Sequence, residues 1–213
     1  MGILFIACTV FSIISMSMTN SFLDATDYIA KLAANQHQAV TAALFELIWA
    51  ATGLSIAIWL YPVIKKQNEG LALGSVIFRG IENVAVIIGT LCFLTLLSLS
   101  ANSQIPGAAG ELLVAARDWS HLVITIIFFA LGALMYYTVL YRSRLIPHWL
   151  SGWGFIAACL CQIVTVIGAF NRDFLSGTVN TVLNAPLGIQ EMVLALWLII
   201  KGFDRQALAA LPD

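Results

Sequence analysis

Leu71-Ala-Leu-Gly-Ser-Val-Ile-Phe-Arg79-Gly-Ile-Glu82-Asn83-Val-Ala-Val-Ile-Ile-Gly-Thr90-Leu-Cys-Phe-Leu-Thr-Leu-Leu-Ser-Leu-Ser100 decides the fold. Two charged residues and one amide, Asn83, stand in thirty positions, and the rest is apolar or small. A bilayer core takes about 20 apolar residues of helix, so this stretch is long enough to cross one. Five other stretches read the same way. The expected spans are about 3–18, 39–63, 71–100, 119–141, 148–170 and 181–200. The first starts directly after Met1-Gly2, with no basic segment before it, so we read a retained helix rather than a cleaved signal. The expected fold class is all-α: a polytopic membrane helix bundle of six transmembrane helices, one domain over 1–213.

Composition agrees. The chain has 213 residues, 61% hydrophobic and 10% charged, with a mean hydropathy of +0.94. A soluble domain is about a quarter charged. A soluble enzyme and a disordered chain are thereby excluded. A net charge of -1 with no basic tract argues against a nucleic-acid partner. The expected partners are the lipid bilayer and, beyond it, further copies of the chain or a larger membrane complex. Cys8, Cys92, Cys159 and Cys161 lie in apolar runs and read as reduced packing residues.

Basic residues set the expected orientation. With six spans the termini share a side. That side carries Lys65, Lys66, Arg142, Arg144, Lys201 and Arg205. The other carries Lys31, Arg117 and Arg172, and Arg79 lies within a span. Six against three puts both termini in the cytoplasm. The turns at 65–70 and 142–146 make tight hairpins. The longer outer loop at 21–38 is expected to hold a short interfacial helix, from the acidic Asp24 and Asp27 and the apolar Tyr28, Ile29 and Leu32. Residues 110–118 read as a second outer turn.

Ionisable groups inside a span cost a few kcal/mol each on insertion scales. That singles out Glu46, Arg79, Glu82 and Glu191 as candidate ligand- or ion-binding residues, with Asn83 and Gln190 beside them. Arg79 and Glu82 are one turn apart on one helix face. Arg79 is expected to meet Glu82 or Glu191, and Glu46, nearer the outer end, is left as the excess acid. Stripes at three-and-four spacing define interior faces: His121, Thr125, Gly132 and Tyr136 in the fourth span; Gly154, Ala158, Cys161, Thr165 and Gly168 in the fifth, with Gln162 near; Asn184, Gly188, Glu191 and Ala195 in the sixth. Asp118 and His121 share a face and form half of a weak metal site, though His121 reads first as an interfacial histidine. His148 lies opposite His37 and His121, so a bis-histidine haem finds no support, and no cofactor is expected. No GxSxG, HExxH, Walker or GxGxxG motif occurs, and no catalytic residue is assigned.

Three segments resemble a known family: Leu140-Tyr-Arg-Ser-Arg-Leu-Ile-Pro-His-Trp-Leu-Ser-Gly-Trp-Gly154; Gln190-Glu-Met-Val-Leu-Ala-Leu-Trp-Leu-Ile-Ile-Lys-Gly202; and Leu60-Tyr-Pro-Val-Ile-Lys-Lys66 with Gly70-Leu-Ala-Leu-Gly74 and Arg79-x-x-Glu82. Together they are similar to the bacterial integral membrane proteins grouped as domain of unknown function 4386. His148 stands where that family has an arginine. Basic residues common before its first helix are missing here, which reads as a shortened start. The resemblance implies a multi-pass protein of the bacterial inner (plasma) membrane, and no activity.

Two functions follow from the residues. The first is binding or transport of a small molecule or ion at a polar site between the second, third and sixth spans, with dimerisation expected of so small a transporter. The alternative is a structural or regulatory membrane subunit whose buried polar residues only hold the helices together. An enzyme acting on lipid ranks last, since only Asp118 and His121 approach a catalytic pair.

Overall fold

The computed structural model describes residues 1–101, 107–171, 174 and 178–211. Its helices are α1 (Gly2–Leu23), α2 (Tyr28–Ala34), α3 (Gln36–Ile64), α4 (Glu69–Ser100), α5 (Gly107–Asp118), α6 (Thr125–Ser143), α7 (His148–Ala169), α8 (Thr178–Ile200) and α9 (Arg205–Ala209). A π-helical turn, Trp119–Ile124, joins α5 to α6 without a break, so Gly107–Ser143 is one 37-residue rod. Six helical segments are long and apolar enough to cross a membrane: α1, α3, α4, the α5–α6 rod, α7 and α8.

The spanning helices begin and end where local chemistry allows. Asn68 caps α4, its side-chain oxygen accepting from the Leu71 amide at 2.9 Å, and Glu69 follows in the first turn, where a negative charge suits the helix dipole. Pro147 precedes α7 as its capping residue. The second span ends within a residue of its expected limit, just past Pro62. Pro62 sits inside α3, which runs on to Ile64. Pro186 lies inside α8. Both lack the amide that would bond one turn back, a loss that packing in a bundle offsets.

Packing follows chain order. Each spanning helix lies beside its predecessor, α1 on α3, α3 on α4, α4 on α6, α6 on α7 and α7 on α8, and α8 closes the ring against α1. The inner faces carry the small residues foreseen at three-and-four spacing: Gly154, Ala158, Cys161, Thr165 and Gly168 of α7 are all buried. Facing outward are large apolar side chains, such as Val84, Ile87, Ile88 and Leu91 of α4. An apolar girdle on that scale needs lipid rather than water around it. The four cysteines are free thiols.

Two expectations for the connections meet different outcomes. The short helix foreseen near residue 28 is α2, whose Leu32 is fully buried in a small cluster with Phe22 and Phe93. The outer turn foreseen at 110–118 is instead helix α5, and its Arg117 is buried at 4% exposure rather than solvated. The physical reason is a partner: Arg117 turns inward to a carboxylate on α3, so the helix can continue through a charged residue. Arg172, counted with the outer basic residues, lies outside the described residues.

Candidate functional site

Buried polar side chains gather at two levels of the ring. The first surrounds Glu46, which is wholly inaccessible. One carboxylate oxygen pairs with Arg117 Nη2 and accepts from the Thr19 hydroxyl at 3.3 Å. The other accepts from the Thr90 hydroxyl at 2.7 Å and lies 3.6 Å from His121 Nε2. Arg117 also donates to Thr19 Oγ1 at 2.9 Å and lies over the Phe93 ring at 5.7 Å. Four spanning segments thus meet at one carboxylate. The assignment of Glu46 as the excess acid is overturned, because Arg117 neutralises it inside the bundle. His121 is likewise not interfacial. It is 2% exposed, faces Glu46 and sits within the π-helical turn. Such turns recur at functional sites. A β-carbon at Gly89 of α4 would land on the His121 imidazole, so only glycine leaves room for it.

The second level centres on Arg79 of α4. Its Nη1 is 2.8 Å from Glu82 Oε2, and its Nη2 donates to the Gly53 carbonyl of α3 at 3.2 Å. The guanidinium lies over the Phe129 ring, 4.8 Å from the centroid. A β-carbon on Gly53 would come within 3.0 Å of that guanidinium, so the glycine permits the approach. Of the two carboxylates foreseen as partners, Glu82 makes the ion pair. Glu191 of α8 accepts from the Tyr136 hydroxyl at 3.4 Å.

Between the two levels lies a cavity of about 250 Å³, walled by residues of all six spanning segments. Arg79, Glu82, Glu191 and His121 line it, together with Thr125 and Asn184. Its apolar wall includes Phe5, Ile56, Phe129 and Leu187. The cavity is therefore wider in origin than the space foreseen between α3, α4 and α8. The other candidates do not line it. Glu46 is satisfied by the contacts above. Asn83 donates to the Arg79 carbonyl within α4. Gln190 accepts from the Tyr137 hydroxyl and donates to the Leu150 carbonyl at 3.0 Å, tying α8 to α6 and α7. Among the described residues, no three His, Cys, Asp or Glu side chains group as a metal site, and Asp118 with His121 therefore stays short of one.

Polar atoms at the cavity are incompletely bonded. Arg79 Nε, Thr125 Oγ1 and Asn184 Oδ1 are buried and have no hydrogen-bond partner, and neither has His121 Nδ1, whose edge of the ring packs on Gly89. Buried polar groups are bonded in most proteins, and exceptions call for a bound group or water. Arg117 and the lining face of α1 were missed in the sequence. A signal for Arg117 existed, since 117, 121 and 125 continue one stripe at four-residue spacing. So did one for α1, where Phe5, Cys8, Thr9, Ser12 and Met16 repeat every three or four residues.

No curated protein and no solved structure matches the chain. One family model does, over residues 1–202, a range that contains the three segments in which the resemblance lies. The chain belongs to the family described as Domain of unknown function (DUF4386).

Proposed function

We propose that this membrane protein binds a small amphipathic molecule in the cavity at the centre of its ring. The observation that carries this reading is the set of unpartnered buried polar atoms on Arg79, Thr125 and Asn184, three residues that line one space. At about 250 Å³ the cavity is just below the roughly 300–1,000 Å³ of drug-sized sites. A small molecule fits, with its apolar body on Phe5, Phe129 and Leu187 and its polar group among Arg79, Glu82 and Glu191. A purely structural role is favoured for Glu46 and Gln190, whose bonds are complete, and not for the cavity residues.

The test is to fill the space. Thr125→Phe puts a ring where the hydroxyl now faces the cavity. Organic extraction of the wild-type protein, purified in mild detergent, is expected to release a small molecule in near-equimolar amount. The variant, folded by the same size-exclusion profile, is expected to release at least tenfold less. Equal recovery from both, or none from either, contradicts the reading.

We further propose that the end bearing Lys65, Arg142 and Lys201 is cytoplasmic. With Arg117 inside the bundle, only Lys31 and Arg172 remain as basic residues of the opposite side, against six. In intact cells Thr26→Cys should react with a membrane-impermeant thiol reagent, and Gln67→Cys should not until the membrane is opened. The reverse pattern inverts the topology.

A further inference from the structure

A second concavity lies outside the ring, at the end of the bundle where the α6–α7 hairpin meets the end of α8. It has a volume of about 720 Å³. The hairpin turn, the last turn of α8 and the returning chain before α9 form its walls. These parts are fastened to each other. Gly202 takes a φ of 71° and turns the chain back, and the Asp204 amide then donates to the Leu145 carbonyl at 2.9 Å. Leu145 and Ile146 are buried beneath, so the cleft has a rigid floor.

Its rim is cationic. Arg144, Lys201 and Arg205 line it, with His148 stacked on Tyr141 at 4.6 Å between ring centroids. One carboxylate is present, Asp204, and its oxygen accepts from the Gln206 and Ala207 amides at 2.9 and 2.8 Å at the start of α9. One of its oxygens is thus tied to the backbone, and its single charge still leaves the three cations in excess. Among the described residues no ion pair neutralises Arg144, Lys201 or Arg205. Arg144 also holds a φ of 55°, in the left-handed region where glycine or asparagine is the usual helix-ending residue. A guanidinium is kept at a backbone position that disfavours any β-carbon.

We propose that this cleft binds the phosphate of an anionic phospholipid headgroup. Guanidinium and ammonium groups suit phosphate oxygens by geometry and charge. The place in the fold favours lipid over free phosphate. The cleft opens where α6, α7 and α8 all reach one end of the bundle, and Trp197, set edge-on to Trp149 at 6.4 Å, forms its apolar flank. Tryptophan at that depth is an interfacial residue. The site is separate from the central cavity and stands or falls without it.

The test titrates the full chain, in uncharged detergent, with dioctanoyl phosphatidylglycerol, dioctanoyl phosphatidylcholine and inorganic phosphate. The wild type is expected to bind the anionic phosphatidylglycerol most tightly, the zwitterionic phosphatidylcholine less tightly and inorganic phosphate only weakly. Arg144→Gln, Lys201→Gln and Arg205→Gln together should weaken that binding about a hundredfold, at roughly fivefold per cation. Lys65→Gln, Lys66→Gln and Arg142→Gln remove three charges from the same end and should leave it unchanged. If the first triple variant fails to fold, Arg144→Gly replaces it, since glycine suits the left-handed backbone, and should weaken binding about fivefold. Equal losses in both triple variants reduce the effect to surface charge and overturn the site. Retained binding in the cleft variants overturns it too. Inorganic phosphate binding as tightly as the lipid overturns the lipid as its source.

Discussion

Arg117→Met is expected to destabilise the bundle by about 3–5 kcal/mol, the usual cost of leaving a buried charge without its partner. Glu46 sits at zero exposure, and after the substitution its remaining contacts are two threonine hydroxyls and His121. Hydroxyls stabilise a carboxylate but do not cancel its charge. Adding Glu46→Gln to Arg117→Met should recover most of the loss, because the buried charge disappears with its counter-ion. Chemical unfolding of the three proteins in one detergent measures this. An Arg117 solvated at the membrane surface would predict a cost under about 1 kcal/mol and no recovery.

Arg79→Leu is expected to cost a similar amount, about 3–5 kcal/mol, and to act on the cavity as well. It removes the cation 2.8 Å from Glu82 and the donor 3.2 Å from the Gly53 carbonyl. Combination with Glu82→Gln should restore more stability than combination with Glu191→Gln, since Glu82 is the direct partner. Arg79→Lys should not substitute, because a single ammonium lacks the fork that reaches a carboxylate and a carbonyl together. Greater recovery with Glu191→Gln would reassign the pair.

Much of this arrangement was legible in the sequence. Six apolar stretches become six spanning segments, since bilayer thickness leaves few other uses for them. Stripes are equally readable. Asn184, Gly188 and Glu191 line the cavity together because helical spacing alone brings them to one face. Arg79 with Glu82 follows from a three-residue spacing.

What stayed hidden depends on contacts between distant residues. Glu46 and Arg117 are 71 positions apart, and nothing local marks either as the partner of the other. Arg117 stands beside Asp118 at the flank of an apolar run, where charge ordinarily means solvent. The π-helical turn at Trp119–Ile124 is hidden for a related reason. It shifts the helical register by a fraction of a turn, and its stabilisation comes from what His121 and Ser120 meet, including the Ser120 bond to the Ala85 carbonyl at 2.6 Å. Gln190 was read as a site residue because it adjoins Glu191, yet neighbours on a helix face different directions. One lines the cavity and the other ties α8 to α6 and α7.

A ligand held in the space between Arg79, Glu82, Glu191 and His121 would be visible directly. An experimental structure of the wild-type protein, purified from its own membrane into lipid nanodiscs, tests this most directly. Connected density is expected inside the ring, of the size of a small organic molecule, within hydrogen-bond distance of Arg79 or Glu191 and of Thr125 or Asn184. A dry, collapsed space in which Arg79 Nε, Thr125 Oγ1 and Asn184 Oδ1 have turned to bond one another would contradict it.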